Sequence, residues 1–217
     1  MKSRKTRMPE GVQIASGEGL ARPNMAYTDL REWLVEAEKL GEVENVTGAS
    51  WEREIGMASE LVLRDDDAPC VVFDEVPGYP KGYRVLTNFF GGRRRNMTLG
   101  FSPDLTKLEL ADSHRAYQVE GMPTIPYEVV EDGPVFENVL EGNDVDITKF
   151  PTPVWHEHDG GRYFGTGSFD VTKDPDSDWI NVGCYRVMVQ NEKEVNIYMS
   201  PGKHGRIHRD KFEERGE

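Results

Sequence analysis

Three polar residues near the end of the chain have side chains that could share one chemical site. Asn181 supplies an amide, Arg186 a guanidinium and His204 an imidazole. An amide oxygen and a neutral imidazole form a mixed donor pair that suits Mn²⁺ or Mg²⁺ once a carboxylate completes it. A planar guanidinium can hold a carboxylate or phosphate through two hydrogen bonds. These residue types indicate a site for a divalent metal and an anion. The alternative is that Asn181 and His204 are a polar pair at a strand end, with their hydrogen bonds satisfied within the protein.

Two other clusters could also carry chemistry. The run His156-Glu157-His158-Asp159 begins like the H-x-H-x-D-H pattern of metallo-hydrolases, but its aspartate comes one residue early and no third histidine follows. A polar turn before Gly160 is the favoured interpretation. The run Arg93-Arg94-Arg95 is a basic patch, where a solvated loop or subunit contact competes with an anion or interdomain site.

The strand that carries two of the three candidates raises a geometric difficulty. Residues 180–189 have the composition of one strand, so their side chains alternate between two faces. Strict alternation places Asn181 and Arg186 on opposite faces. Both can serve one site only if the strand bulges at Gly183 or if the site wraps the strand end.

The third candidate follows a predicted hairpin. The polar break 190–193 predicts a turn into a second strand over residues 195–199. The turn 200–202 then sends His204 back toward the sheet, and residues 210–216 look like the start of a helix.

The remaining sequence alternates helices and strands through about residue 125 and becomes rich in strands past residue 134. The predicted helices are 29–40, 51–64 and one that starts at Ser102-Pro103. The predicted strands are 42–46, 70–73, 83–87, 135–139 and 164–171. In the second helix the predicted inward positions are Ile55, Ala58, Leu61 and Val62.

Composition limits the class of protein. The 217 residues carry a net charge of −13, which argues against a nucleic-acid partner. No apolar run approaches the ~20 residues of a membrane span. The basic N-terminus lacks the apolar stretch of a secretory signal, so we expect a cytoplasmic protein. Cys70 and Cys184 lie in apolar runs and are predicted to be buried free thiols.

Several short motifs, by their order and spacing, resemble one enzyme family. They are Asp29–Leu34 with Gly41–Val43, Asn88–Arg95, Pro151–Trp155, Asp159–Tyr163, Asn181–Arg186 and Gly202–His204. Together they are similar to the UbiD-type decarboxylases, which use prenylated FMN to remove or add carboxylate on aromatic and α,β-unsaturated acids. The resemblance implies an α/β N-terminal domain followed by a split β-barrel like that of flavin reductases.

The expected domain organisation combines the composition with this resemblance. Residues 1–25 mix basic, Gly, Ser and Pro residues without periodicity and are expected to be a disordered arm. Residues 26–130 are then the α/β domain. Residues 131–217 are the start of an incomplete, truncated split barrel that binds the cofactor.

The resemblance also implies roles for the site residues. Asn181 and His204 become ligands of the Mn or Mg ion that clamps the flavin phosphate, with K⁺ as a further candidate ion. Arg186 becomes the active-site arginine, which holds the substrate carboxylate over the flavin. The residues implied to line the cofactor are Val182, Gly183, Cys184, Tyr185, Arg186 and Lys203.

The sequence departs from the family pattern in one respect. Family members carry a third metal ligand and catalytic glutamates well beyond the histidine, and Glu213, Glu214 and Glu217 lie too close behind His204 to be those residues. We therefore expect the N-terminal part of a decarboxylase, inactive alone. It would be a homo-oligomer if full length, or would pair with a chain that supplies the missing part. The alternative is a non-catalytic subunit that binds flavin or a partner.

Overall fold

The computed structural model describes residues 23–119, 127–165 and 167–217. Most of the arm that was expected to be disordered, residues 1–22, lies outside the described residues. Residue 166, within the predicted strand 164–171, also lies outside them.

The described chain is a mixed α/β structure. Its helices are α1 (Leu30–Lys39), α2 (Glu54–Leu63), α3 (Gly92–Thr98), α4 (Lys107–Val119) and α5 (His204–Arg215). Its strands are β1 (Val43–Thr47), β2 (Cys70–Asp74), β3 (Val85–Thr87), β4 (Arg162–Gly165), β5 (Asp170–Lys173), β6 (Ile180–Gly183), β7 (Val187–Val189) and β8 (Val195–Ile197). Their order in the sheets is β1-β2-β3, β4-β7-β8 and β5-β6. No sheet closes into a barrel within the described residues, and the split barrel stays a prediction.

The chain divides into two compact units, residues 1–42 with 90–130 and residues 43–89 with 131–217. Among the described residues, the first unit holds α1, α3 and α4, and the second holds the strands with α2 and α5. The domain boundaries expected from the sequence stay a prediction. None of the helices described here is long and apolar enough to cross a membrane.

Helix α1 begins and ends where the sequence predicts. The Asp29 carboxylate accepts a hydrogen bond from the Glu32 backbone N–H at 2.8 Å, which satisfies one free donor of the first turn. Gly41 leaves the helix with a φ of 72°, a conformation that favours glycine. Trp33 is buried in this unit, and its indole N–H donates to Thr98 Oγ1 at 2.8 Å.

The predicted start of the next long helix is wrong. Ser102 instead closes a turn, with its carbonyl accepting from the Leu105 N–H at 3.3 Å. Helix α4 begins at Lys107 because Thr106 and Glu109 form a capping box. The Glu109 N–H donates to Thr106 Oγ1 at 3.3 Å, and the Thr106 N–H donates to Glu109 Oε2 at 2.9 Å.

The basic patch is helical, and the solvated-loop interpretation is wrong for its central residue. Arg94 lies on α3, is 0 % exposed and places Nη1 2.7 Å from Glu42 Oε2. Its neighbour Arg93 is exposed and pairs with Asp104 at 2.8 Å. Helical spacing turns adjacent residues to different sides, so one arginine of the run is buried while the next faces solvent.

The core of the second unit forms where α2 packs on the first sheet. Strand β2 runs parallel to β1 and antiparallel to β3, and its residues 70–73 are buried. Ile55 of α2 joins Val71, Phe73 and Val76 in the core cluster. The inward prediction for Leu61 is wrong, since that side chain is 73 % exposed. Ser59 is buried on α2 as well, and its hydroxyl donates to the Ile55 carbonyl at 2.6 Å.

Arg162 connects the segment before β4 to the rest of this unit. Its Nε donates to the Thr152 carbonyl at 2.8 Å, and Nη2 donates to the Phe150 carbonyl at 2.9 Å. The guanidinium also lies 4.1 Å from the centre of the Trp51 ring, a cation–π distance. The family-like motifs 151–155 and 159–163 thus meet in one structural contact.

The β-rich region contains more breaks than the sequence predicts. The predicted strand 135–139 is wrong, because Pro134 starts a 3₁₀ turn over Pro134–Phe136. The predicted strand 164–171 divides into β4 and β5, and the predicted strand 180–189 divides into β6 and β7, in different sheets. The predicted hairpin is confirmed, with Val189 opposite Val195 across the turn between β7 and β8.

Candidate functional site

The candidate site is built where the two-stranded ribbon β5-β6 packs against helix α5. Thr172 of β5 lies directly opposite Asn181 of β6 in the antiparallel register. The adjacent pair, Val171 and Val182, is exposed at 67 % and 59 %, so the ribbon turns its polar pair inward and its apolar pair outward.

Asn181 is buried, with 8 % of its surface exposed, and its amide nitrogen makes two hydrogen bonds. It donates to Thr172 Oγ1 at 3.1 Å and to the Tyr185 phenol oxygen at 3.3 Å. Both amide protons are therefore used inside the protein. The amide oxygen, which is the atom able to bind a cation, accepts no hydrogen bond from the residues described.

Tyr185 fastens the end of β6 to the first turn of α5. Its phenol oxygen accepts a hydrogen bond from the Gly205 N–H at 2.8 Å. A Cβ on Gly183 would lie 2.5 Å from the Tyr185 ring, and a Cβ on Gly205 would lie 2.7 Å from its hydroxyl oxygen. The ring thus fills space that only glycine leaves at both positions.

His204 is the first residue of α5 and is exposed. Its ring centre lies 4.8 Å from that of Trp179, and the planes are inclined by 70°. His208, one helical turn later, meets the same indole at 4.5 Å and 88°. Trp179 therefore contacts two histidines that share one face of the helix.

His208 is 1 % exposed and links the ribbon to a buried carboxylate. Its Nδ1 lies 2.9 Å from Thr172 Oγ1, and its Nε2 lies 3.8 Å from Asp174 Oδ2. Lys211 Nζ contacts the same carboxylate oxygen at 2.5 Å. This hydrogen bond from Lys211, together with the charge of Lys211, lowers the pKa of Asp174 below its ordinary value.

Arg186 lies in the break between β6 and β7, and its side chain is exposed. Its backbone carbonyl accepts from the Tyr198 N–H at 3.3 Å. Strict alternation would place Asn181 and Arg186 on opposite faces of one strand. Because β6 ends at Gly183, that alternation does not extend to Arg186. No contact within the described residues joins Arg186 to Asn181.

The other predicted cofactor residues differ in exposure. Val182, Cys184 and Lys203 have exposed side chains, whereas Tyr185 is buried. Both cysteines keep their thiols outside any disulfide, as predicted, and Cys70 is buried, but the buried position expected for Cys184 is wrong. Cys184 directly follows the last residue of β6, and its side chain is exposed, whereas the next residue, Tyr185, turns inward.

Neither candidate metal cluster contains a complete ligand set. Within residues 23–119, 127–165 and 167–217, no three His, Cys, Asp or Glu side chains are grouped to hold an ion. His156 is exposed, its backbone N–H donates to Asp159 Oδ2 at 3.0 Å, and its ring approaches Glu60 at 3.7 Å. The polar-turn interpretation of that run is confirmed. The metal roles of Asn181 and His204 stay predictions.

Sequence reasoning missed Thr172, which accepts a hydrogen bond from the Asn181 amide, and the side chains that surround His208. The missed residues are Thr172, Asp174, Trp179, His208 and Lys211. One signal was present, since His204 and His208 are four residues apart and share a face of any helix that starts at His204. The predicted helix began at residue 210, which left His208 outside it.

Comparison with known proteins identifies the family. Residues 34–113 match the 3-octaprenyl-4-hydroxybenzoate carboxy-lyase N-terminal domain, and residues 128–217 match the 3-octaprenyl-4-hydroxybenzoate carboxy-lyase Rift-related domain. Pyrrole-2-carboxylic acid decarboxylase of Pseudomonas aeruginosa is 30% identical over 202 residues, which cover 89% of this chain and 40% of that one.

Solved structures agree with this match. Vanillic acid decarboxylase of Sedimentibacter hydroxybenzoicus (ShVdcCD), in its closed form, superposes with a TM-score of 0.79 at 27% identity, covering 88% of this chain and 41% of that chain. The UbiD-class enzyme HmfF of Pelotomaculum thermopropionicum, in an evolved dimeric form in complex with prFMN, shares the fold at a TM-score of 0.72 and 24% identity, covering 86% and 42%. The chain spans about two fifths of the length of these relatives. The two matched domains together take in most of its residues, and the chain belongs to the UbiD family.

Proposed function

We propose that this chain is the N-terminal part of a prenylated-FMN-dependent carboxy-lyase that decarboxylates an aromatic or α,β-unsaturated acid, in a reversible reaction without oxidation. Relatives named as decarboxylases support the reaction class. Family membership supports prenylated FMN, which would supply the electron sink for loss of carbon dioxide. The observation that carries the proposal is the Asn181 amide, whose protons are both bound internally while its oxygen is left without a partner among the described residues.

Asn181 of β6 and His204 at the start of α5 would hold a metal that binds the flavin phosphate. Asn181 would supply an oxygen and His204 a nitrogen, a donor pair that Mn²⁺ or Mg²⁺ accepts. Tyr185 connects the two, because it bonds both the Asn181 amide and the N–H of Gly205, the residue after His204. The helix N-terminus and the exposed Lys203 add positive charge, which favours a phosphate.

Arg186 would bind the substrate carboxylate. Its exposed guanidinium has no hydrogen-bond partner within the described residues, so it can offer two parallel N–H donors to an anion. The backbone from Val182 to Tyr185, which leads from Asn181 to this arginine, would line the flavin. Glutamates that complete the metal site and move the proton would come from family sequence outside this chain.

A second function, a non-catalytic subunit that binds flavin or a partner chain, is favoured by the incomplete ligand set of the described residues. The name ShVdcCD of a structural neighbour and its form with truncated ShVdcD are consistent with a separate partner chain. The proposed enzyme needs the rest of a family chain for turnover, whereas the subunit would contribute no reacting group to it.

A complementation assay tests the proposal. The chain is coexpressed with the unmatched remainder of the Pseudomonas aeruginosa relative, loaded with prenylated FMN and Mn²⁺, and assayed for release of carbon dioxide from pyrrole-2-carboxylate and phenolic acids. We expect turnover that falls ~100-fold or more in Arg186→Ala, since orientation of the substrate is lost. The control Arg64→Ala removes an exposed arginine directly after α2 and should leave turnover unchanged. Turnover that is equal in Arg186→Ala and the parent would remove the role of Arg186 and favour the non-catalytic subunit.

A further inference from the structure

We propose that His208 and Thr172 are positioning residues that set the direction of the Asn181 amide and so keep its oxygen available to a cation. The inference rests on the proposed function, in which Asn181 is a metal ligand. It follows from a chain of contacts that runs from Asp174 through His208 and Thr172 to Asn181.

The first step fixes the proton on His208. Asp174 is buried, with Lys211 on its carboxylate at 2.5 Å, and this carboxylate faces His208 Nε2 at 3.8 Å. Nε2 is buried and has no hydrogen-bond partner within the described residues. A neutral imidazole carries one proton, and a facing anion favours that proton on Nε2. Nδ1 is then a bare acceptor.

The second step fixes the hydroxyl of Thr172. Its oxygen lies 2.9 Å from His208 Nδ1, and because Nδ1 has no proton, the hydroxyl must donate to it. A hydroxyl has one proton. Thr172 Oγ1 can then only accept from Asn181, and the atom 3.1 Å away must be the amide nitrogen.

The third step leaves the amide oxygen open. The Tyr185 phenol oxygen already accepts from the Gly205 N–H, and it accepts the second Asn181 proton at 3.3 Å. If Thr172 no longer accepted, the amide could rotate and present its nitrogen, which cannot bind a cation. Partners of this kind, which orient a ligand without touching the metal, commonly change metal affinity by about 10–100-fold.

Conservative and disruptive variants separate positioning from damage to the fold. Thr172→Val removes the hydroxyl at similar volume, whereas Thr172→Ser keeps it. His208→Leu removes the acceptor, whereas His208→Asn retains an oxygen close to the position of Nδ1. The probe is Mn²⁺ alone, titrated into the ¹⁵N-labelled full chain, and the readout is paramagnetic broadening of the Asn181 and His204 amide resonances.

We expect Thr172→Val and His208→Leu to raise the Kd for Mn²⁺ about 10–100-fold, while Thr172→Ser and His208→Asn stay within about threefold of the parent. If Asn181→Ala abolishes broadening but Thr172→Val binds like the parent, the positioning role is wrong and the ligand role stands. If Thr172→Ser binds as weakly as Thr172→Val, the hydroxyl is not the cause and the inference is also wrong. If Asn181→Ala broadens like the parent, the metal role proposed for Asn181 itself fails.

Discussion

Two buried polar networks in this chain end in different ways. In the first unit, Arg94 is fully buried and its guanidinium meets the Glu42 carboxylate at 2.7 Å. In the second unit, Asp174 leads through His208 and Thr172 to the Asn181 amide, whose oxygen has no hydrogen-bond partner within the described residues. The first network ends in two opposite charges, so removing one would leave the other buried and unpaired, whereas the second ends in an oxygen that could bind a cation. What the final polar atom of a network contacts is therefore more informative about its function than its burial alone.

The largest effect should come from breaking the first network. We expect Arg94→Ala to lower the free energy of unfolding by about 3–5 kcal/mol, because the largely buried Glu42 carboxylate would lose the cation that faces it. Urea denaturation measures this change. The matched control is Arg93→Ala on the same helix, whose exposed pair with Asp104 should be worth about 0–1 kcal/mol. Equal losses for the two arginines would remove the distinction between the buried and the solvated pair.

A smaller effect should come from crowding the second network. Gly205→Ala places a methyl group where the Tyr185 hydroxyl lies 2.7 Å away, so we expect a loss of about 1–3 kcal/mol despite the better helix propensity of alanine. Thermal unfolding is the measurement. Gly133→Ala is the control, since its backbone is extended and nothing lies within 4 Å of the added carbon. A stabilised Gly205→Ala protein would mean that the Tyr185 contact does not hold the start of α5.

The smallest effect should appear in the pH dependence of stability. The folded-state pKa of Asp174 is lowered, chiefly by Lys211, so its ionised form stabilises the fold above the unfolded-state pKa of about 4. That contribution should be lost progressively as the pH falls below 4. Urea midpoints measured between pH 3 and pH 6 should decline more steeply for the parent than for Lys211→Met. Parallel profiles would show that Lys211 does not stabilise the ionised carboxylate.

The sequence predicted helix ends correctly where residues close to one another in the chain determine them. The cap at Asp29 and the end of α1 at Gly41 could be predicted because both depend on contacts within one helical turn. The start of α4 was misplaced because Ser102-Pro103 also looks like a helix start, although the capping box at Thr106 lies four residues later. The family motifs gave the correct family, but they did so by resemblance and not through hydrogen-bond geometry.

Long-range packing limited the prediction of the site. At the break after Gly183, the Tyr185 ring lies against a glycine at the start of a helix 20 residues later. The alternation of residue types along a strand does not predict a contact between residues so far apart. His208 was missed for a related reason, because its partners Thr172 and Asp174 are more than 30 residues away and only the fold brings them together.

The position of Trp179 gives the candidate site an optical reporter of its own. The indole touches the rings of both His204 and His208, at centre distances of 4.8 and 4.5 Å. The emission of this tryptophan should therefore respond to events at either imidazole, since a protonated or metal-bound histidine changes the field at the indole. Replacing Trp33, Trp51 and Trp155 with phenylalanine would leave one fluorophore that reads the start of α5 directly.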